Sequence, residues 1–576
     1  MQHFNQNFEQ LKDVEVEQFD KDEVISEIKA INDKLVNAND AKEAIKTIRE
    51  YFDFSDDFHT VLSLINYRYT LNTTDEKYTK LQDYVDENVP FIEEALNDLE
   101  KNIYNCKYRN ELEKEFGKLY FDMIALSLKT FSSEIVSDLV EENKLQSAYV
   151  NLLSSGLIEF DGKEYSIPQM GQFTTSSDRD TRIKASKKVY DFYAANDEKI
   201  GEIYDSMVHV RDKIAKKLGY ENFVQLGYDR MGRLDWNKDD AKIYRQKILE
   251  NIVPISTRIY NDQKQRLGYG SDTRFSDYNI FYKSGNATPK GNADDLISAA
   301  KEMYSKLDST ASKYFNFMVE HGCMDILAKP HKSGGGYMDY LPSLKTSLIF
   351  SNFDGTSGDV DVLTHEFGHA LQGFLGANET DVPAYRCPGM ECAEMHSMSM
   401  EYLTYPWMDL FFKEDADKYR YEHLCSALTF IPYGCIVDQF QTYCYENPSL
   451  THQERKAYWR NIELQFLPHR EYIDNEFLRN GGFWERQSHI FTSPLYYLDY
   501  TIAQVVSLEF FIDSLKDHKA TFEKYLAFDK LGGKYPFKEL LKKAGIKNPM
   551  EGDTLKDVAC EIVKYLDTFN PNELDK

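Results

Sequence analysis

The sequence predicts a mainly α-helical protein with a small β component. Three observations support this reading. From about residue 22 to 153, apolar residues recur three and four apart, as in Val24, Ile25, Ile28, Ile31 and Leu35. The same periodicity resumes near Asp180 and runs with interruptions to about Leu267. Only two stretches, 157–167 and 331–358, read as extended chain and turns instead of helix.

Taken in order, the first 150 residues read as helix after helix. In Leu157 to Ile167, Asp161-Gly162 stands between two short alternating runs, the favoured two-residue hairpin turn. A hairpin there sets a boundary between an N-terminal helical region, 1–155, and a larger region, 156–576, that holds the motifs described below. Polar, Gly- and Asn-rich connections follow at 268–279 and 284–294. Next, Ser333-Gly334-Gly335-Gly336 forms either an ordinary loop or one that lets a ligand approach closely, and Leu344 to Phe350 reads as a strand.

The chain has 576 residues, with Lys+Arg 68 against Asp+Glu 95, a net charge of −27. So negative a surface repels phosphate backbones and anionic lipid, which predicts no nucleic-acid and no membrane partner. With 42% hydrophobic and 28% charged residues, the composition is that of a globular protein. The first residues lack the basic start and apolar stretch of a secretory signal, and no run of about 18 apolar residues occurs anywhere. Eight cysteines are scattered without paired CxxC spacing, which argues against a disulfide framework or a thiolate zinc knuckle. A soluble, cytoplasmic protein is expected. Its oligomeric state is not legible.

Ser357-Gly358-Asp359 offers a capping residue and an acid for a helix start. Val360, Leu363, Phe367, Ala370/Leu371 and Phe374 then mark a buried stripe. On that helix lies His365-Glu366-Phe367-Gly368-His369. Two histidines at i and i+4 share a face about 5–6 Å apart. Both imidazoles can reach one zinc at roughly 2.0–2.1 Å, with Glu366 beside the open coordination position. This is the HExxH arrangement of a zinc hydrolase. It needs a third ligand, and the extended HExxHxxGxxH form is absent because position 375 is Leu. Downstream, a Met-rich helix carries Glu391, Glu394 and Glu401, roughly on one face. One of these can complete the metal shell and another can accept a hydrogen bond from a ligand imidazole; spacing alone does not separate Glu391 from Glu394. Cys387 and Cys392 read as ordinary buried thiols.

His365-Glu366-Phe367-Gly368-His369-Ala370, followed 25 residues after His369 by Glu394-x-x-Ser397-x-x-x-Glu401, resembles the thimet oligopeptidase family, in particular its oligoendopeptidase F branch. The likeness extends through Leu218-Gly219-Tyr220-Glu221-Asn222-Phe223, the glycine loop and the stretch around His489, covering at least residues 160 to 510. It implies Glu394 as third ligand of a single zinc, with Glu401 as a supporting carboxylate. It also implies that His489, Tyr496 and Tyr500 stabilise the oxyanion, in a segment where Ser493-Pro494 reads as a helix start. Tyr496 and Tyr497 both match the first tyrosine of the family pattern, and only Tyr496 stands at i, i+4 to Tyr500. His209, His321, His423 and His469 read as packing or surface residues, and His396 should point away from the metal.

The implied fold is two helical lobes around a deep substrate channel, with a small sheet at the active-site edge. The implied activity is that of a zinc endopeptidase acting on oligopeptides, with Glu366 as general base and the loop at Gly334, Gly335 and Gly336 beside the substrate. A zinc carboxypeptidase or peptidyl-dipeptidase of similar fold is the alternative. A non-catalytic zinc-containing peptide binder would have no need of Glu366.

Overall fold

A computed structural model describes residues 2–4 and 6–575. Its N-terminal helices Lys21–Val36, Ala41–Leu71 and Glu76–Tyr104 are each started by an aspartate, Asp20, Asp40 and Asp75, whose side chain accepts first-turn N–H groups. The apolar stripe is where the periodicity puts it: Val24, Ile28, Ile31 and Leu35 are buried. The hairpin pairs β1 (Leu157–Phe160) with β2 (Lys163–Ser166), antiparallel. Asp161 and Gly162 both take positive φ, 50° and 77°, as the tight turn requires.

A long helix, Arg179–Lys217, leads into Phe223–Arg230, Lys238–Asn251 and Val253–Leu267. A three-stranded sheet follows, with β3 (Met324–Leu327), β4 (Tyr337–Leu341) and β5 (Thr346–Phe353) in the order β3-β5-β4. β5 runs parallel to β3 and antiparallel to β4, so β4 is an edge. The strand expected from Leu344 starts two residues later, because Pro342–Leu344 form a 3₁₀ turn and Lys345 takes φ 50°.

Three helices then build the centre of the molecule: the motif helix Gly358–Glu379, the glutamate helix Met390–Leu403 and the tyrosine helix Tyr497–Ser514. The motif and glutamate helices touch at backbone distance. A Cβ at Gly368 would lie 2.7 Å from Ser397 Cα and 2.9 Å from His396 O. Ser357 does not cap the motif helix. Instead Asp359 accepts the N–H groups of Asp354 and Gly355, both at 2.9 Å, and fixes the turn that enters it.

The N-terminal helices and the helices after residue 358 share one hydrophobic core that runs from Leu11 to Leu566. Two cavities of about 590 and 620 Å³ open between them, each lined from both sides. Among the described residues, no helix is long and apolar enough to cross a membrane.

Candidate metal centre and active site

Each turn of the motif helix brings a group to one point. His365 Nε2 and His369 Nε2 lie 3.0 and 3.1 Å from the same oxygen, Glu394 Oε2. Around a tetrahedral ion with ligands at roughly 2.0–2.1 Å, neighbouring donors stand about 3.3 Å apart. Two imidazole nitrogens and a carboxylate oxygen at this spacing are a donor set that can hold such an ion. Burial alone would raise the Glu394 carboxyl, but His369 and His365 hold it well below the usual range. One other group among the described residues has metal-binding chemistry: Asp197, His452 and Glu485. There Lys456 Nζ already stands 2.6 Å from Asp197.

The donor set is held in place from behind. His365 Nδ1 donates to Glu401 Oε1 at 2.7 Å, and His423 Nε2 donates to the other oxygen of Glu401 at 2.7 Å. Tyr405 OH meets His423 Nδ1 at 2.6 Å. This fixes which His365 nitrogen faces the centre. His423 thus has a place in the site that the sequence reading missed, since it gave that histidine a packing or surface position. The signal available was weak: Tyr419 and His423 stand at i, i+4 on the helix Ala416–Glu446, and Tyr419 OH donates to Asp361, a neighbour of the motif.

Of the three acids on the glutamate helix, Glu394 and Glu401 face the histidines. Glu391 turns elsewhere and is pushed up to about 8, first by burial and then by Asp499. His396 points away, as its helix position predicts, to Asp529 at 2.5 Å.

Glu366 is buried, and its Oε2 has no hydrogen-bond partner. Burial raises its pKa, while His365 and His369 pull it back. Its Oε1 would lie 3.2 Å from a Cβ at Gly336, so the glycine there leaves room above the carboxylate. Gly334 and Gly335 line the 590 Å³ cavity. The loop is tethered by Asn352, which donates to the carbonyls of Ser333 and Gly335, both at 2.8 Å.

The segment from His489 to Tyr500 differs from the expected helix start at Ser493-Pro494. The tyrosine helix begins only at Tyr497, because Leu495 takes φ 65° and breaks the chain direction. Two buried arginines bracket this bend. Arg211 donates to the carbonyls of Ile490 and Phe491 at 3.3 and 2.6 Å. Arg233 donates to Leu495 O at 2.9 Å and pairs with Asp499. The bend turns Tyr496 inward, so its hydroxyl donates to Glu394 Oε1 at 2.5 Å. Tyr497 packs against Phe430 and Tyr433 and behind the His489 and Tyr500 rings.

Gln487 donates its amide to His489 Nδ1 at 2.9 Å, with its own oxygen taken by Tyr433. The His489 proton is therefore on Nε2, which lies 3.2 Å from Tyr500 OH. Burial lowers the His489 pKa to about 4, so the ring is neutral. Burial, then Glu394, raises the Tyr500 hydroxyl well above its usual value, and it remains a donor.

Comparison with known proteins adds to this geometry. A model of peptidase family M3 matches residues 172–560, and a model of the peptidase M3 N-terminal domain matches residues 11–131. The chain belongs to peptidase family M3. Membership makes it a metallo-endopeptidase and bears out the resemblance read from its motifs. The solved structure of PZ peptidase A with an inhibitor is 40% identical, with 97% of this chain and 100% of that one covered at a TM-score of 0.96. A protein named as an oligoendopeptidase F is 41% identical, covering 98% and 100% at 0.96. A Bacillus anthracis strain Ames protein also named as an oligoendopeptidase F is 39% identical, covering 98% and 100% at 0.92. No curated protein matches.

Proposed function

We propose that this M3 peptidase is a zinc endopeptidase that cleaves internal bonds of oligopeptides, with one zinc per chain held by His365, His369 and Glu394. The observation that carries the proposal is the convergence of both Nε2 atoms on Glu394 Oε2, next to a buried Glu366 with a free oxygen. When bound, zinc supplies an acidified water and a Lewis acid for the scissile carbonyl.

The chain's own residues do the rest. Glu366 Oε2 accepts the proton of the attacking water, its basicity raised by burial, and returns that proton to the leaving amine. Tyr500 OH and His489 Nε2–H donate to the developing oxyanion, and as neutral groups they give up no charge in doing so. Tyr496 orients Glu394 through its hydroxyl, a different task from the oxyanion contact first expected of it. Glu401, backed by His423, orients His365. Gly336 lets a peptide backbone pass over Glu366 beside the edge strand β4, with Gly334 and Gly335 continuing the wall.

Cavities of about 590 and 620 Å³ that open between the N-terminal helices and the rest of the molecule have room for extended peptide and not for a folded protein, which supports oligopeptides as substrates. All eight cysteines are unpaired, in keeping with a reducing cytoplasm. A division of the chain near residue 155 into an N-terminal helical region and a catalytic region is part of the same proposal.

The test is product analysis with a peptide blocked at both ends. The zinc-loaded enzyme should cut it internally and lose that activity to a chelator. A strict need for a free carboxyl terminus would contradict the endopeptidase reading.

A further inference from the structure

The charge of one wall sets it apart from the rest of the molecule. The chain carries Asp+Glu 95 against Lys+Arg 68, yet no Asp or Glu is found among the described residues lining the 590 Å³ cavity. Its walls include Tyr149, Pro168, Tyr190, Gly334, Gly335 and Arg486. Lys332 also borders this space, but its ammonium donates to Asp325 and to the carbonyl of Leu327 and faces the sheet.

Arg486 is exposed, and unlike the buried arginines of this protein it has no carboxylate partner. Arg182 pairs with Asp277 at 2.8 Å, Arg211 with Glu142 at 2.7 Å and Arg233 with Asp499 at 2.9 Å. Arg486 donates only to the Tyr190 hydroxyl, at 3.1 Å, and lies over the Phe483 ring at 5.2 Å. Among the described residues, no carboxylate comes within 4.0 Å of it. A guanidinium is always charged and presents a planar fork that matches a carboxylate. Tyr190 and Phe483 hold this fork at the cavity wall, where its charge faces solvent and is open to an anion.

The location gives that charge a use. Arg486 stands three residues before His489, and Ser488 and Thr492, on either side of that histidine, line the same cavity. The cavity beyond the bend, which ends at Tyr496, has the opposite lining: Glu93, Glu100 and Glu142 with Arg230. The two sides of the catalytic segment are therefore polarised.

We propose that the 590 Å³ cavity is an anion-accepting subsite in which Arg486 receives a carboxylate of the bound peptide, a specificity element that rests on the peptidase reading above. The carboxylate belongs either to the peptide's C-terminus or to an Asp or Glu side chain, and the same guanidinium serves both.

The experiment uses three amino-blocked peptides identical except at the end: a free C-terminal acid, its amide, and an amide with Glu as the last residue. Dissociation constants are measured on the zinc-loaded Glu366→Gln protein, and kcat and KM on the wild type. At least one carboxylate peptide should bind roughly tenfold to a hundredfold more tightly than the plain amide, the range for a charge-assisted hydrogen-bonded pair. The same preference should appear in KM. Arg486→Gln should bring the ratio to about one, and Arg486→Lys should keep part of it. Preference for the free acid assigns the C-terminus, and preference for the Glu amide assigns a side chain. Equal affinity for all three peptides, or a ratio that survives Arg486→Gln, would overturn the subsite. Absence of cleavage by the wild type with the binding preference intact would instead count against the peptidase reading.

Discussion

Glu394 makes four contacts at once, and each constrains a different part of the chemistry. One oxygen faces both histidines and Ser397 Oγ, and the other accepts from Tyr496. Glu394→Ala should therefore lose bound zinc and activity together, because two imidazoles alone make a weak site. Glu391→Ala should keep both, since that carboxyl faces Asp499 and Arg233. Metal analysis of the two proteins separates them, and zinc loss in Glu391→Ala would reverse the assignment. Tyr500 is tested by its hydroxyl alone. Tyr500→Phe keeps the ring packing and should retain zinc while lowering kcat about 10²–10³-fold, the usual cost of one oxyanion donor. Tyr497→Phe, whose ring sits among Phe430 and Tyr433, should change kcat little. Equal rates for Tyr500→Phe and wild type would return Tyr500 to the core.

At the scale of elements, the site depends on how closely the motif and glutamate helices approach. Gly368 permits that approach. Gly368→Ala would push a methyl onto Ser397 Cα and His396 O and should cost about 1–3 kcal/mol of stability or more. It should also weaken zinc affinity by moving Glu394 off the histidines, and a thermal melt with and without metal reads both effects. Unchanged melting and affinity would mean that the helices separate freely. What was legible in the sequence followed locality. The pair His365 and His369 lies within one helical turn, so spacing placed both on one face, and Asp161-Gly162 announced its hairpin for the same reason. Glu391 and Glu394 also lie about one turn apart, so periodicity gave both one face and only the packing separated their tasks. The bend at Leu495 follows from Arg211 and Arg233, held by distant segments, and no local pattern announces a non-glycine residue at φ 65°. His423 reaches Glu401 from another helix, a tertiary contact that sequence spacing does not encode.

At the scale of the whole molecule, the N-terminal helices are joined through buried charge to the helices that follow the hairpin. Glu142, on the N-terminal helix Val136–Ser154, pairs with Arg211 at 2.7 Å and Arg230 at 2.9 Å. Burial would raise its carboxyl, but Arg230 and Arg211 hold it down to about 2 from an ordinary 4.5. A depressed carboxyl stabilises the fold above its unfolded pKa and loses that contribution as pH falls. Here about 3 kcal/mol should disappear between roughly pH 4.5 and 2. Glu142→Gln should melt lower than wild type at pH 7, and the gap should narrow as the pH falls through that window. Parallel curves would show that Glu142 carries no such linkage. In the proposed mechanism the metal is held without help from Glu366, and the reaction cannot proceed without that residue. The most direct measurement is zinc content together with turnover of a blocked, quenched peptide in Glu366→Gln. The expected result is one zinc per chain, as in wild type, with kcat reduced by at least about 10²–10⁴-fold, the contribution of general acid–base catalysis. Near-wild-type turnover in a zinc-loaded Glu366→Gln protein would contradict it.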